Sequence, residues 1–240
     1  MKWFRWIWLV GTLALLGEAF YQGMYVAPTE ATMGDIQRIF YYHAPTAMMT
    51  FVFLFISFAA SVAYLFYRHR EPLRAMSADA LALAGAEVGV LYCTIVLIQG
   101  MLWARPVWGI WWTWDARLTS ALILWLIYSS YLLVRRLAAG PQMQTLAAMV
   151  AIFGYVDVPI VYFSTTWWRT QHPGPVVSSG NLDKSMWPAF LLNIVAWLAW
   201  GLMLIALRYA IERKRQLREQ DEALRALEAT LEATPWKENE

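Results

Sequence analysis

Three stretches of this sequence gather side chains that can hold a ligand. PVWGIWWTWDARLTS, residues 106–120, sets Trp108, Trp111, Trp112 and Trp114 beside Asp115. RIFYYHAPTAM, residues 38–48, carries His43, and STTWWRTQHPGPVVSSGNLDKSM, residues 164–186, carries His172. A neutral imidazole nitrogen is a common metal ligand. Indole is flat and largely apolar, so it suits either a membrane–water boundary or a flat apolar ligand. Written as a helix, Trp108, Trp111, Trp112 and Asp115 fall at i, i+3, i+4 and i+7, which is one face. Three indoles in one stripe would form a wall.

The elements that position these residues follow from composition. The chain of 240 residues is 60% hydrophobic and only 15% charged, against about 25% charged for a soluble domain. Its apolar residues fall in six blocks, about Arg5–Val26, Pro45–Tyr67, Leu81–Trp103, Arg117–Val134, Thr145–Phe163 and Trp187–Leu207. Each approaches the ~20 residues of helix that cross a hydrocarbon core. In lipid such segments must be helical, because unpaired backbone groups find no partner there. The first block is too long and too rich in Trp for a cleaved signal peptide. The expected fold is therefore an all-α integral membrane protein with six transmembrane helices, a Trp-rich short helix and histidine loops on the outer face.

Orientation follows from the basic residues. With both termini and the second and fourth loops on one side, that side holds fourteen of the nineteen Lys and Arg residues, Lys237 among them. The other side holds Arg38, Arg105, Arg117, Arg169 and Lys184. This asymmetry places both termini in the cytoplasm. Residues 1–210 are read as the six-span domain and 211–240 as a charged, helical cytoplasmic tail. In that tail Leu217, Leu224 and Leu231 recur every seven residues, with Leu227 on the same seam. Such a helix docks on a cytoplasmic partner or its own copy, or stays a solvated extension.

The single cysteine, Cys93, excludes an intrachain disulfide and dithiol chemistry. There is no phosphate-cradling G-x-x-x-x-G-K-[ST] loop, so ATP is not hydrolysed here by that route. No nucleic-acid partner is expected.

The plainer readings stand beside the functional ones. An aromatic belt accounts for Trp103 and Trp187, yet both ends of the second span and the inner end of the fourth lack one, which favours a ligand surface. Asp115 fits the N-cap of the helix beginning near Arg117, a role that does not exclude another. Pro45 suits the first turn of the second span, and Pro173-Gly174-Pro175 makes a stiff turn after His172. A lone loop histidine is usually just solvated. Two of them, each fixed by proline at one membrane face and flanking indoles, read as axial ligands to a haem iron. Arg38, Arg105, Arg117 and Arg169 are the cations available to haem propionates. Glu18, Glu87 and Asp157 lie within spans, either as functional groups or as partners of polar neighbours such as Tyr92, Thr94 or Gln99.

WGIWWTWDARLTS (108–120) resembles the signature of the WWD haem-handling membrane proteins. FYYHAP (40–45) and STTWWRTQHPG (164–174) resemble the two histidine-bearing outer segments of one branch, the cytochrome c maturation protein C family. Span number and loop order match that branch from roughly residue 5 to 208, and the tail lies outside it.

The resemblance implies a multi-pass protein of the bacterial inner membrane that binds haem b on the periplasmic side. It would present the haem to a membrane-anchored haem chaperone, alongside a small single-span partner, a two-subunit ABC module and membrane lipid. His43 and His172 would then be the metal ligands. Trp108, Trp111, Trp112, Trp114, Asp115, Arg117 and Arg169 would complete the cofactor site, with no catalytic residue of a conventional kind. Two rival readings are an electron-transferring cytochrome b, whose ligands normally lie within spans, and a haem or solute transporter with a path lined by intramembrane carboxylates.

Overall fold

The computed structural model describes residues 2–138, 140 and 142–233; Lys237 and the rest of 234–240 lie outside the described residues. Among the described residues the chain is helical, without strands. The helices are α1 (Lys2–Tyr21), α2 (Phe40–Tyr67), α3 (Pro72–Trp108), α4 (Ala116–Leu137), α5 (Met143–Tyr155), α6 (Asp157–Trp167) and α7 (Trp187–Ala233). Five segments are long and apolar enough to cross a membrane: Asp35–Tyr67, Pro72–Trp108, Ala116–Leu137, Met143–Trp167 and Lys184–Glu232. α1 covers most of the first expected span, and its Trp6, Ile7 and Val10 are exposed.

Close approach of α2 and α3 forms the centre of the bundle. A Cβ on Gly85 would sit 2.8 Å from the backbone nitrogen of Ser57, and one on Gly89 would collide with Leu54. The Ser57 hydroxyl donates to the Ala82 carbonyl at 2.9 Å across the same seam. α7 joins them where Gly201 lies against the Phe53 ring. α1 is tied in by Asn193, whose amide donates to the Ala19 carbonyl at 3.0 Å. The fifth span is broken at Val156, between α5 and α6. Pro159 has no amide to offer the Tyr155 carbonyl one turn back, which accounts for the break.

The bundle has two unlike ends. At one, the buried Arg135 guanidinium forms an ion pair with Asp79 and lies 3.7 Å from Glu212. Gln216 donates to Asp79 at 3.0 Å. This cluster links the start of α3, the end of α4 and α7. The opposite end is formed by the start of α2, the end of α3, the start of α4, and the loop before α7.

Two expectations about elements are corrected. α2 begins at Phe40 rather than Pro45, because a 3-10 turn over Asp35–Ile39 runs straight into it. His43 therefore stands on a helix and not in a loop. Pro45 falls in the second turn, and the Thr46 hydroxyl next to it lies 2.8 Å and 3.0 Å from the Tyr42 and His43 carbonyls.

The Trp-rich short helix does not form. Gly109, at φ +77, stops α3 after Trp108, as a left-handed glycine commonly does. Residues 109–115 then run without helix to Asp115. At the other end of the chain, α7 passes the expected boundary at 210 without interruption. It leaves Leu217, Leu224, Leu227 and Leu231 exposed.

Candidate functional site

A cavity opens at the end remote from the Arg135 cluster. α2 contributes His43, Ala47 and Thr50 to it, and α3 contributes Leu97, Gly100, Trp103 and Trp108. Trp112, Arg117, Leu118, His172 and Pro173 close the mouth. The lining is mostly apolar, with two imidazoles and one guanidinium as its ionisable groups besides the Cys93 thiol.

His43 is seated by packing. A Cβ on Gly100 would meet its Cε1 at 3.4 Å, an ordinary contact, so a residue no larger than alanine leaves that edge room. The Trp103 ring stands edge-on to it, with centroids 5.7 Å apart. Its Nδ1 is buried without a hydrogen-bond partner, which leaves Nε2 as the nitrogen with a free edge. The indole N–H groups of Trp103 and Trp112 are likewise buried and unpartnered.

His172 is seated by hydrogen bonds. Its Nδ1 lies 2.8 Å from the Pro173 carbonyl. A carbonyl can only accept, so this contact fixes the proton on Nδ1 and the lone pair on Nε2. A metal-binding histidine is commonly oriented in this way. Burial, reinforced by the Arg117 charge, lowers the pKa of His172 to about 4, against the opposing pull of the Pro173 carbonyl and Asp115. The ring is neutral at pH 7. The two imidazole centres are 6.5 Å apart, inclined at 38°. One metal between two imidazoles, at about 2 Å from each nitrogen, puts ring centres about 6 Å apart. The observed spacing matches.

Asp115 is the N-cap of α4, as expected: its Oδ1 accepts from the Leu118 N–H at 3.0 Å. Its Oδ2 accepts from the Thr170 hydroxyl at 2.8 Å and the Thr113 hydroxyl at 3.3 Å. Burial pushes this carboxyl up, but hydrogen bonds from Leu118, Thr170, Gln171 and Thr113 outweigh it and hold the pKa below the usual range. Asp115 is spent on protein groups.

The tryptophans divide. Trp108 and Trp112 line the cavity, whereas Trp111 and Trp114 are 54% and 76% exposed. The single indole face expected from helical spacing is thus split, because the chain leaves the helix at Gly109. Among the four outer arginines, Arg117 alone lines the cavity, and it also donates to the Val161 carbonyl. Arg169 is exposed. Arg105 donates to the Gly109 carbonyl, and Arg38 to the carbonyls of Gly23 and Ala27.

The intramembrane carboxylates lie apart from the cavity. Glu87 pairs with Arg208, Glu18 accepts from Gln22 at 2.7 Å, and Asp157 leaves Oδ2 buried and unpartnered. Sequence reasoning passed over Gly100 and Thr170. Gly100 gains meaning only once α2 is laid across α3. A threonine two residues before a histidine was a legible turn signal for Thr170.

These features define an all-helical membrane protein with an apolar cavity at one end, bracketed by two imidazoles. The chain belongs to the family described as Heme exporter protein C (CcmC), whose model matches residues 1–223. It is 35% identical over 229 residues to Heme exporter protein C of Bradyrhizobium diazoefficiens, covering 93% of this chain and 83% of that protein. Over 208 residues it is 34% identical to the protein of the same name from Haemophilus influenzae, covering 84% and 81%. Over 218 residues it is 28% identical to that of Escherichia coli K12, covering 88% and 82%.

Proposed function

We propose that this chain binds haem b as a substrate at the outer, periplasmic face of the bacterial inner membrane and presents it to a membrane-anchored haem chaperone during cytochrome c maturation. The observation that carries the reading is the pair His43 and His172, with ring centres 6.5 Å apart across an apolar cavity. The names of the relatives agree with it.

In this reading both Nε2 atoms ligate the iron, and the ring contacts Trp108 and Trp112. Arg117 is preferred to Arg169 as the partner of a propionate, because it lines the cavity. Trp111 and Trp114, exposed on the rim, are available to the chaperone. The protein positions its cargo; the reacting groups belong to haem and chaperone. The cavity lies opposite the Arg135 cluster, which supports the sidedness drawn from the basic residues. The exposed apolar face of α1 supports a sixth span, with both termini cytoplasmic. Residues 1–210 are assigned to haem handling and 211–240 to a cytoplasmic tail. The chain would work beside the small single-span partner and the two-subunit ABC module, whose ATPase would supply what this sequence lacks.

The test is haem transfer. Chain loaded with haem in lipid nanodiscs should pass it to purified chaperone, and His172→Ala should not. Equal transfer by both would end this reading. His43 on a helix brings the cytochrome b alternative nearer, though His172 in a turn does not. Rapid, reversible reduction of the bound haem by quinol would favour that alternative.

A further inference from the structure

The loop that bears His172 is almost free of polar ties to the rest of the molecule. Apart from the Gln171 N–H, which reaches the Asp115 carboxylate, its backbone hydrogen bonds after Trp168 are internal, such as Asn181 N–H to Val176 O at 3.0 Å and Ser179 N–H to Pro175 O at 3.0 Å. The side-chain bonds of Ser178 and Ser179 also stay within it. Apolar anchoring comes later, where Val176, Val177 and Leu182 pack with Tyr41 and Phe190. The tie close to the imidazole is the Asp115 carboxylate, which takes the Thr170 hydroxyl at 2.8 Å and the Gln171 backbone N–H.

Proton counting fixes the direction of this chain of bonds. A hydroxyl has one proton, and Thr170 gives it to Asp115. The Thr170 oxygen then accepts the backbone N–H of His172 at 3.0 Å. The route therefore runs from the N-cap of a spanning helix, through one hydroxyl, to the backbone of the imidazole-bearing residue. The Pro173 carbonyl then orients the ring itself.

We propose that Thr170, held by Asp115, is a positioning residue that sets His172 opposite His43, and that the aspartate of the tryptophan-rich motif acts on the histidine loop rather than on haem. This rests on the proposed ligation of haem by both histidines. Asp115 links the start of α4 to the ligand loop, so the tryptophan segment and the second imidazole move as one unit. Thr170 and Asp115 touch no ligand; both act through His172.

The variants are Thr170→Val, which keeps the shape and removes the hydroxyl, and Thr170→Ser, which restores it. In the full chain without haem, amide hydrogen exchange across 169–174 should quicken at least tenfold in Thr170→Val, with α4 unchanged. With haem, Thr170→Val should lose the low-spin bis-imidazole spectrum for a high-spin one and release haem about tenfold faster. Thr170→Ser should restore both, and added imidazole should restore the low-spin spectrum of Thr170→Val. In an Asp115→Ala background, Thr170→Val should add nothing, since the two act as one unit. Unchanged exchange in Thr170→Val overturns the tether. Faster exchange with an unaltered spin state overturns the positioning role. A wild-type chain without bis-imidazole haem, whatever the exchange rates, overturns the ligation reading and this assignment with it; a wild-type chain with it and an indifferent Thr170→Val overturns the assignment alone.

Discussion

The two ends of the bundle satisfy their polar groups in opposite ways. At one end Arg135, Asp79, Glu212 and Gln216 pair with one another, and Glu212 also with Arg215. Around the cavity His43 Nδ1 and the indole N–H groups of Trp103 and Trp112 are buried and unpartnered. A buried charge is costly unless paired, so the first end has been closed and holds three helices together. Unpartnered polar atoms also cost stability, and such atoms concentrate where a protein keeps capacity for something else. The contrast supports the proposed division of stability at one end and binding at the other.

The largest effect that can break this contrast comes from the Arg135 end. Arg135→Ala leaves the buried Asp79 carboxylate without its ion-pair partner, while Glu212 keeps Arg215 at 2.6 Å, and should cost about 3–5 kcal/mol, read as a lowered thermal midpoint in detergent. Haem binding by the protein that stays folded should be unchanged. A variant equally stable, or one losing haem while folded, would erase the division between the ends.

Gly100→Leu is the reverse experiment. The added side chain must displace His43, whereas Gly100→Ala meets Cε1 at an ordinary 3.4 Å. Leucine should abolish low-spin haem with a stability loss of about 1–3 kcal/mol, the usual cost of overpacking. Alanine should leave the spectrum intact.

A smaller effect separates the tryptophans. Trp112→Ala removes a cavity wall and should weaken haem retention about tenfold, corresponding to roughly 1.4 kcal/mol. Trp111→Ala, on the exposed rim, should change retention by less than about twofold while slowing transfer to the chaperone. Comparable losses of retention would mean that the helical wall read from spacing was right after all.

The smallest effect concerns the two imidazoles. Free imidazole should rescue the His172→Ala spectrum at lower concentration than the His43→Ala one. The first vacancy lies at the loop-bounded mouth, the second between α2 and α3.

Much of the architecture was legible because apolar blocks near twenty residues have few solutions in lipid. The ends of elements were not. Pro45 looks like a helix start, yet α2 begins at Phe40 because the preceding turn already carries helical dihedrals. The spacing of Trp108, Trp111 and Trp112 suggested one face, and Gly109 in the middle was the stop signal that outweighed it. The meeting of His43 with His172 was inferred from chemistry rather than spacing, since 128 positions of sequence carry no distance information. Gly100 matters only through His43, far away in the chain, so no local pattern marked it, whereas the turn signal at Thr170 was local and did not show its tie to Asp115. α7 ran on past 210 because neither glycine nor proline interrupts 202–233.

The most direct measurement is the visible absorption spectrum of the haem-loaded chain beside His43→Ala and His172→Ala. Bis-imidazole ligation at this cavity predicts low-spin bands in the wild type that turn high-spin or vanish in each variant. Low-spin bands that survive both substitutions would place the iron elsewhere and contradict the assignment.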